Sequence, residues 1–485
     1  MGSSRLAGST GRARPGPVGG LLPTLVFLGV VSAAVGSLGA PLLPTIVTVD
    51  DVSVVDSQWA LTISLLVGAV AAPAIGRLGD THRRKGVILA TVSTVAVGCV
   101  LAALPLGFTW LLIGRALQGV ALALVPLAIT VAREVLPVER RGPAIIVLGV
   151  TTAIGIGIGY PLAGLLVQLS GLAAAFWFGA AVSVIALVTA ALVVPRSSTG
   201  SSGSIDPVGV VLLAVAVTGL LLVLAQGTGW GWTSARVVGL AGVSVAVIVT
   251  WVVWELHVPR PLVDVRLLRH RSVYSANLTV VLISAGIYPL LSIVVRLVEA
   301  PVGTGYGLGA SPAAAGLMLV PFSLASFAAS RAARQMIELM SPEKVVVTSC
   351  LLLIAALGLY LVAIGSAALL AVVMALAGFG VGCVFAVNPV QIVSGVPPKE
   401  TGSALSFYQV LRSIGLAAGS ALAGTALAAS IPAGATLPTV DGYRTAGVTG
   451  VIILTVALVV SIVLARGTGI QPGAGASSAR KRRRT

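Results

Sequence analysis

The chain has 485 residues, 57% of them apolar and 9% charged, with a formal net charge of +16. A soluble domain of this length carries about 25% charged residues, so the composition excludes an ordinary globular protein. The Lys and Arg surplus invites a nucleic-acid partner, but its distribution along the chain, given below, points to a membrane instead. Arg outnumbers Lys 26 to 4 beside abundant Ala, Gly and Val, which reads as a GC-rich coding genome and a bacterial source. Cys99, Cys350 and Cys383 fall in apolar runs. An odd set so widely spaced builds neither a disulfide framework nor a metal site.

A membrane helix needs about 20 predominantly apolar residues. Fourteen runs qualify: 21–46, 58–77, 86–106, 109–132, 143–168, 172–194, 207–225, 237–255, 273–297, 312–333, 345–364, 367–393, 402–430 and 446–465. Gly and Pro within several of them are tolerated in a bilayer. The first run follows Arg5, Arg12 and Arg14 but exceeds the h-region of a signal peptide, so it reads as a retained first helix. With the N-terminus in the cytoplasm, the connections 77–85, 133–142, 195–206, 256–272, 331–344 and 394–401 plus both tails hold 25 of the 30 Lys and Arg residues. The outer connections hold Arg236, Arg296 and Arg444, and the one after the first run carries Asp50, Asp51 and Asp56. This is the positive-inside asymmetry. The basic tail Arg480-Lys481-Arg482-Arg483-Arg484 follows a Gly/Ser linker and fits anionic lipid better than nucleic acid.

Residues 142–164 align with 402–424 at nine of 23 positions, including Gly142/Gly402, Gly155/Gly415, Gly159/Gly419 and Gly164/Gly424. The offset of 260 makes the fifth and thirteenth runs equivalent members of two halves. Parallel repeats are one way that transporter folds are built. Six helices per half leaves two over, and the seventh and eighth runs, after the Ser/Gly-rich stretch 197–204, are the natural insert. The expected organisation is a cytoplasmic tail 1–20, an N-terminal six-helix bundle 21–194, a cytoplasmic linker 195–206 and two inserted helices 207–255. A cytoplasmic loop 256–272, a C-terminal six-helix bundle 273–466 and a basic cytoplasmic tail 467–485 follow.

The connection Gly76-Arg77-Leu78-Gly79-Asp80-Thr81-His82-Arg83-Arg84-Lys85 resembles the loop between helices 2 and 3 of the major facilitator superfamily of transporters, G-x-L-a-D-x-x-G-R-K. Gly76, Leu78, Asp80, Arg84 and Lys85 match, while Arg83 stands where the family prefers Gly. Arg115-Ala116-Leu117-Gln118-Gly119 matches that family's R-x-x-Q-G in helix 4. In helix 5, Gly155, Gly159 and Gly164 resemble the antiporter motif G-x-x-x-G-P-x-x-G-G, with Tyr160 in the usual Pro position, Pro161 displaced by one and Ala163 replacing a Gly. The stretch 225–234 and Pro261-Leu262-Val263-Asp264 are similar to the fourteen-helix branch of drug:proton antiporters. The resemblance covers nearly the whole chain. It implies an all-α membrane protein of the major facilitator fold, two six-helix bundles plus two inserted helices, normally working as a monomer.

That resemblance also implies roles. Asp80 is expected to face the N-terminus of helix 13, where Thr401 and Ser403 are candidate caps. With Gly76, Arg84 and Glu134 it would form a latch that holds the cytoplasmic side closed; the residues alone fit a solvated, topogenic loop as well. Arg115 with Gln118 is implied in proton coupling, and Arg412 in helix 13 is the other intramembrane cation. The acid that the fourteen-helix branch places in helix 1 falls on Val35 here, and no run carries an acid at its middle. Glu134 and Glu299, both near helix ends, remain as proton-carrying candidates. Candidate cavity residues are Trp59, Thr62, Tyr160, Tyr288, Asn388, Tyr408 and Gln409. Trp230, Trp232, Trp251 and Trp254 read as markers of the membrane interface.

The expected function is proton-coupled export of drugs or hydrophobic and amphiphilic metabolites by alternating access, in a bacterial cell membrane with both termini cytoplasmic. Partners are a small-molecule substrate, protons and the lipid bilayer; a cavity without a fixed acid suits neutral or weakly charged amphiphiles. An importer or symporter on the same fold is one alternative, disfavoured by the helix 5 motif. A non-transporting membrane sensor is another, disfavoured by the lack of a sizeable soluble domain. No enzyme, metal or cofactor is expected. There is no zinc-ligand spacing and no Ser/His/Asp set, His82, His257 and His270 lie in loops, and no G-x-x-x-x-G-K-[ST] loop offers ATP a seat.

Overall fold

The computed structural model describes residues 20–38, 42–197, 206–433, 435 and 437–466. The basic tail 480–484 and most of the Ser/Gly-rich linker lie outside them. Twelve helices among the described residues are long and apolar enough to cross a membrane. One of them, Val138–Val193, has 56 residues, about 84 Å if straight and far more than a bilayer's thickness. It turns at Gly171, whose φ of 78° only glycine adopts without strain. The apolar helix Leu21–Ser37 is shorter, with 17 residues.

In chain order the elements are α1 (Leu21–Ser37), α2 (Trp59–Gly79), α3 (Arg84–Ala103), α4 (Phe108–Val135), and α5 and α6, the limbs 138–170 and 172–193 on either side of Gly171. Then come α7 (Pro207–Trp230), α8 (Ala235–His257), α9 (Arg271–Glu299) and α10 (Ala314–Leu339). The last are α11 (Pro342–Ala363), α12 (Ala367–Gly395), α13 (Thr401–Ala429) and α14 (Val440–Arg466). Local chemistry sets several starts. Asp206 accepts from Val208 N before Pro207 opens α7, and Ser234 accepts from Val237 N at the head of α8. The repeat offset holds for helix ends: α2 and α10 stop at Gly79 and Leu339, α3 and α11 at Ala103 and Ala363, α4 and α12 at Val135 and Gly395.

Two expectations about helix limits change. The first run ends as a helix at Ser37 and resumes as the short helix Leu43–Val49. The fourth run is tightened by a 3-10 turn, Val120–Ala123. The expected break between the fifth and sixth runs falls at Gly171.

The pair α7/α8 packs over the seam between α2 and α13, where Leu66 and Ala69 meet Leu213, Val217, Trp251 and Val410. Trp251, expected at a membrane interface, is instead buried in this seam and stacks on Phe407 with ring centroids 5.8 Å apart. Apolar area outweighs the amphipathic preference of the indole here. Trp232 Nε1 donates to Thr425 Oγ1 of α13 at 3.0 Å. At the base of the pair, Trp254 Nε1 donates to Asp206 Oδ2 at 2.8 Å. Glu255 is fully buried beside it, in space that Gly209 leaves: a Cβ there would stand 2.6 Å from Asp206 Oδ2 and 2.7 Å from Glu255 Oε1. The seam between α5 and α10 carries no such cover among the described residues. It opens as an apolar cleft of about 620 Å³ lined by Ile158, Pro161, Leu165, Leu317, Leu324 and Phe327.

Candidate functional site

Two polar centres lie between the first set of helices, α1–α6, and the second, α9–α14. One is at the end carrying Arg83, Arg84, Lys85, Arg133, Arg140 and Arg141, here called the basic end. Asp80, the residue after α2, is 1% exposed. Its Oδ1 accepts from Gly402 N at 2.7 Å and its Oδ2 from Ser403 N at 2.9 Å. The first amides of a helix lack intrahelical partners and carry partial positive charge, so a carboxylate of the first set caps a helix of the second. Thr401 and Ser403, the expected caps, instead donate to Pro398 O and Glu400 O. Close approach makes this possible. A Cβ on Gly76 would overlap Ser406 Oγ and stand 2.6 Å from Gly402 O, while one on Gly402 would stand 2.5 Å from Gly76 O. Burial pushes the Asp80 carboxyl up to about 6, with the Ser403 and Gly402 amides and the Arg77 and Arg84 charges pulling it back.

Arg84 bonds to Glu134, and its Nε donates to Gly79 O at 2.6 Å; Glu134 Oε1 also accepts from Ser197 Oγ at 3.0 Å. Arg84 thus holds the turn that presents Asp80 and makes no direct hydrogen bond to Asp80 among the described residues. A second tie between the two sets is Arg133, which reaches Thr401 Oγ1 at 2.6 Å, Val396 O at 2.9 Å and Pro397 O at 3.4 Å. Sequence reasoning missed it. Arg133 counts there as one more loop cation beside Glu134, and nothing local names a partner more than 260 residues away.

The other centre is a cavity of about 140 Å³ whose lining includes Ser32, Ser64, Arg115, Gln118, Tyr160 and Tyr288. These positions fall in the halves of α1, α2, α4, α5 and α9 remote from the basic end. Arg115 is 1% exposed. Its Nε donates to Ala60 O at 2.9 Å, and its Nη1 to Gln118 Oε1 at 2.7 Å and Val35 O at 3.4 Å. Gln118 Nε2 donates to Gly98 O at 3.1 Å. Small residues bring these backbones within reach: a Cβ on Gly68 would stand 2.6 Å from Gly119 O, and one on Gly98 2.7 Å from Gly114 O. Val35 gives Arg115 only a carbonyl. In helix 5, Cβ atoms on Gly155 and Gly159 would overlap Ala33 and Ser37 of α1, and Gly316 of α10 packs on Pro161; Gly164 is buried in the same helix.

The remaining candidates lie apart from this cavity. Tyr408, Gln409 and Arg412 line a void of about 10 Å³ with Val125, Gly149 and Pro389, deeper in the seam toward the basic end. Arg412 lies over the Phe385 ring at 4.7 Å, and its Nε is buried with no hydrogen-bond partner, as are Tyr408 OH and Ser406 Oγ. Asn388 donates to Ala276 O of α9 at 3.2 Å. Trp59 and Thr62 sit at the start of α2, where Thr62 bonds to Gln58 O at 3.1 Å. Glu299 is exposed at the last turn of α9.

Repeated helices, joined at one end and enclosing a cation between them, define a multi-pass helical membrane protein built from two related halves. The sequence profile of the Major Facilitator Superfamily matches residues 25–298 and 273–484, and the chain belongs to that family. An uncharacterized MFS-type transporter of Mycobacterium tuberculosis is 34% identical over 311 residues, 63% of this chain and 44% of the relative, so the match spans less than half of that protein's length. A protein of the same organism named multidrug resistance protein B homolog is 26% identical over 376 residues, 75% of this chain and 68% of its own. Among solved structures, the human organic anion transporter MFSD10 (TETRAN) superposes with a TM-score of 0.63 at 17% identity, over 91% of this chain and 99% of that one. At that identity the likeness concerns the fold.

Proposed function

We propose that the protein is a secondary active transporter that exports drugs or other hydrophobic and amphiphilic small molecules by alternating access, with protons as the coupling ion. One observation carries the reading: Asp80 of the first set caps the N-terminus of α13 in the second while the Arg115 cavity lies toward the opposite end. Asp80 and Arg133 then close the cytoplasmic side, and breaking them lets the two sets rock about the seam. The packed polar groups Ser406, Tyr408 and Arg412 would become the lining of the inward-facing cavity. In this reading Val138–Val193 crosses twice and Leu21–Ser37 once, giving fourteen spans. The bundles are 21–194 and 273–466, with 207–255 inserted and both termini cytoplasmic. The relative named for multidrug resistance supports drugs as the substrate class.

Everted membrane vesicles carrying the protein, with a pH-sensitive dye following the proton gradient, test this. Addition of amphiphilic compounds is expected to collapse the gradient in the wild type and not in Asp80→Asn. Equal responses in both would remove the latch, and compound transport without proton movement would remove proton coupling.

A further inference from the structure

The Arg115 cavity contains a fixed positive charge and no acid. Arg115 spends Nε and Nη1 on two backbone carbonyls and the Gln118 amide oxygen, all neutral acceptors. Among the described residues no carboxylate bonds to it, and Nη2 makes no hydrogen bond. The phenols of Tyr160 and Tyr288 line the same space and their hydroxyls likewise bond to no protein group among the described residues. Ser32 and Ser64, by contrast, already donate hydrogen bonds to Ala121 O at 2.5 Å and Arg115 O at 2.6 Å. The cavity therefore offers two guanidinium N–H groups and two phenolic hydroxyls, with apolar walls from Leu61, Leu65 and Leu122.

We propose that this cavity binds the anionic head of an amphiphile, a carboxylate or a similar oxyanion, with Arg115 as the charge partner and Tyr160 and Tyr288 as co-donors. As the transported substrate's site it rests on the transporter reading above; as a binding site it does not. An anion neutralises a desolvated guanidinium and takes charge-assisted hydrogen bonds. An ammonium would meet uncompensated like charge in a medium where that repulsion is weakly screened. A neutral molecule leaves the Arg115 charge unmatched. The substrate class thereby narrows from neutral or weakly charged amphiphiles to organic anions.

Equilibrium binding to the full chain in phosphatidylcholine nanodiscs provides the test, with three probes of one body: 1-naphthylacetate, 2-(1-naphthyl)ethanol and 2-(1-naphthyl)ethylammonium. The acetate is expected to bind about tenfold tighter than the alcohol, equivalent to one charge-assisted contact, with the ammonium weakest. Tyr160→Phe with Tyr288→Phe should lower acetate affinity roughly three- to tenfold and alcohol affinity by less, because a neutral hydroxyl is the weaker acceptor. Gly36 also lines the cavity, and a Cβ there meets nothing within 4 Å. Gly36→Asp should therefore supply an acid without a clash and reverse the order in favour of the ammonium. Alcohol bound as tightly as acetate in the wild type, or a charge order indifferent to Gly36→Asp, would overturn the proposal. Because binding needs no turnover, anion preference without flux in proteoliposomes supports this site and removes the transporter reading. Flux of the alcohol without anion preference in binding does the reverse.

Discussion

Asp80 is a carboxylate held away from water, and its acidity reports the state of the basic end. Burial raises it from the ordinary 3.8 to about 6. In the proposed opening of the basic end the carboxyl is hydrated and returns toward the ordinary value. The closed state therefore binds the proton more tightly than the open one, so closure gains as pH falls from about 6 to about 4. That gain is lost as pH rises through 6, where ionised burial costs ~3 kcal/mol net of the two backbone amides. Spin labels on exposed Arg83→Cys and Lys399→Cys should report more short-distance population at pH 4 than at pH 7. The shift should vanish in Asp80→Asn, and a wild type without it would contradict the assignment. Arg133→Ala removes three bonds to the α12–α13 corner and should lengthen the same distance at pH 7, weakening closure by about 1–3 kcal/mol. The facing of Asp80 and α13 could be anticipated from the loop motif. That the carboxylate itself would supply the helix cap could not, nor could Arg133, because both depend on where a distant helix begins.

The helices were legible as hydropathy because a bilayer demands long apolar segments with every backbone group satisfied internally. Their joints were less so. The break between 168 and 172 was visible, but not that Gly171 makes it by φ alone, and Trp251 is buried only because the α7/α8 pair lies over a seam. Contacts between helices depend on small residues whose partners the sequence does not name. Gly76→Ala should be the sharpest case, since its Cβ overlaps Ser406 Oγ across the α2–α13 contact. It should cost about 1–3 kcal/mol, read as a lower melting temperature together with a loosened basic end. Gly142→Ala, whose Cβ meets nothing within 4 Å, serves as the tolerated control. If both variants behave alike, close helix approach is not what positions the Asp80 cap.

At the scale of the whole molecule, the pair α7/α8 lies unequally on the two sets of helices. Its polar ties run to α13, through Thr228 and Trp232 to Thr425, whereas against α2 it offers apolar packing. Sliding apolar surfaces past one another breaks no hydrogen bonds, so α7/α8 should travel with the second set. A disulfide between Thr228→Cys and Thr425→Cys, whose hydroxyl oxygens lie 3.3 Å apart, is then expected to leave transport intact; arrest by that crosslink would mean the pair slides on α13 instead. The α5–α10 seam has no such escort.

The Arg115 guanidinium has an electrical consequence if the cavity takes an anion. A carrier that returns empty with Arg115 uncompensated moves a positive charge inward, and one that leaves with an anion moves none. Under the proposed export of an anion, each cycle would carry one negative charge out down an inside-negative potential, worth about 2.3 kcal/mol per 100 mV for each charge that crosses the full field. Val35, where an acid would have balanced that charge, leaves the voltage itself as a driving force, so efflux of an organic anion should quicken under a potassium diffusion potential imposed at zero pH gradient.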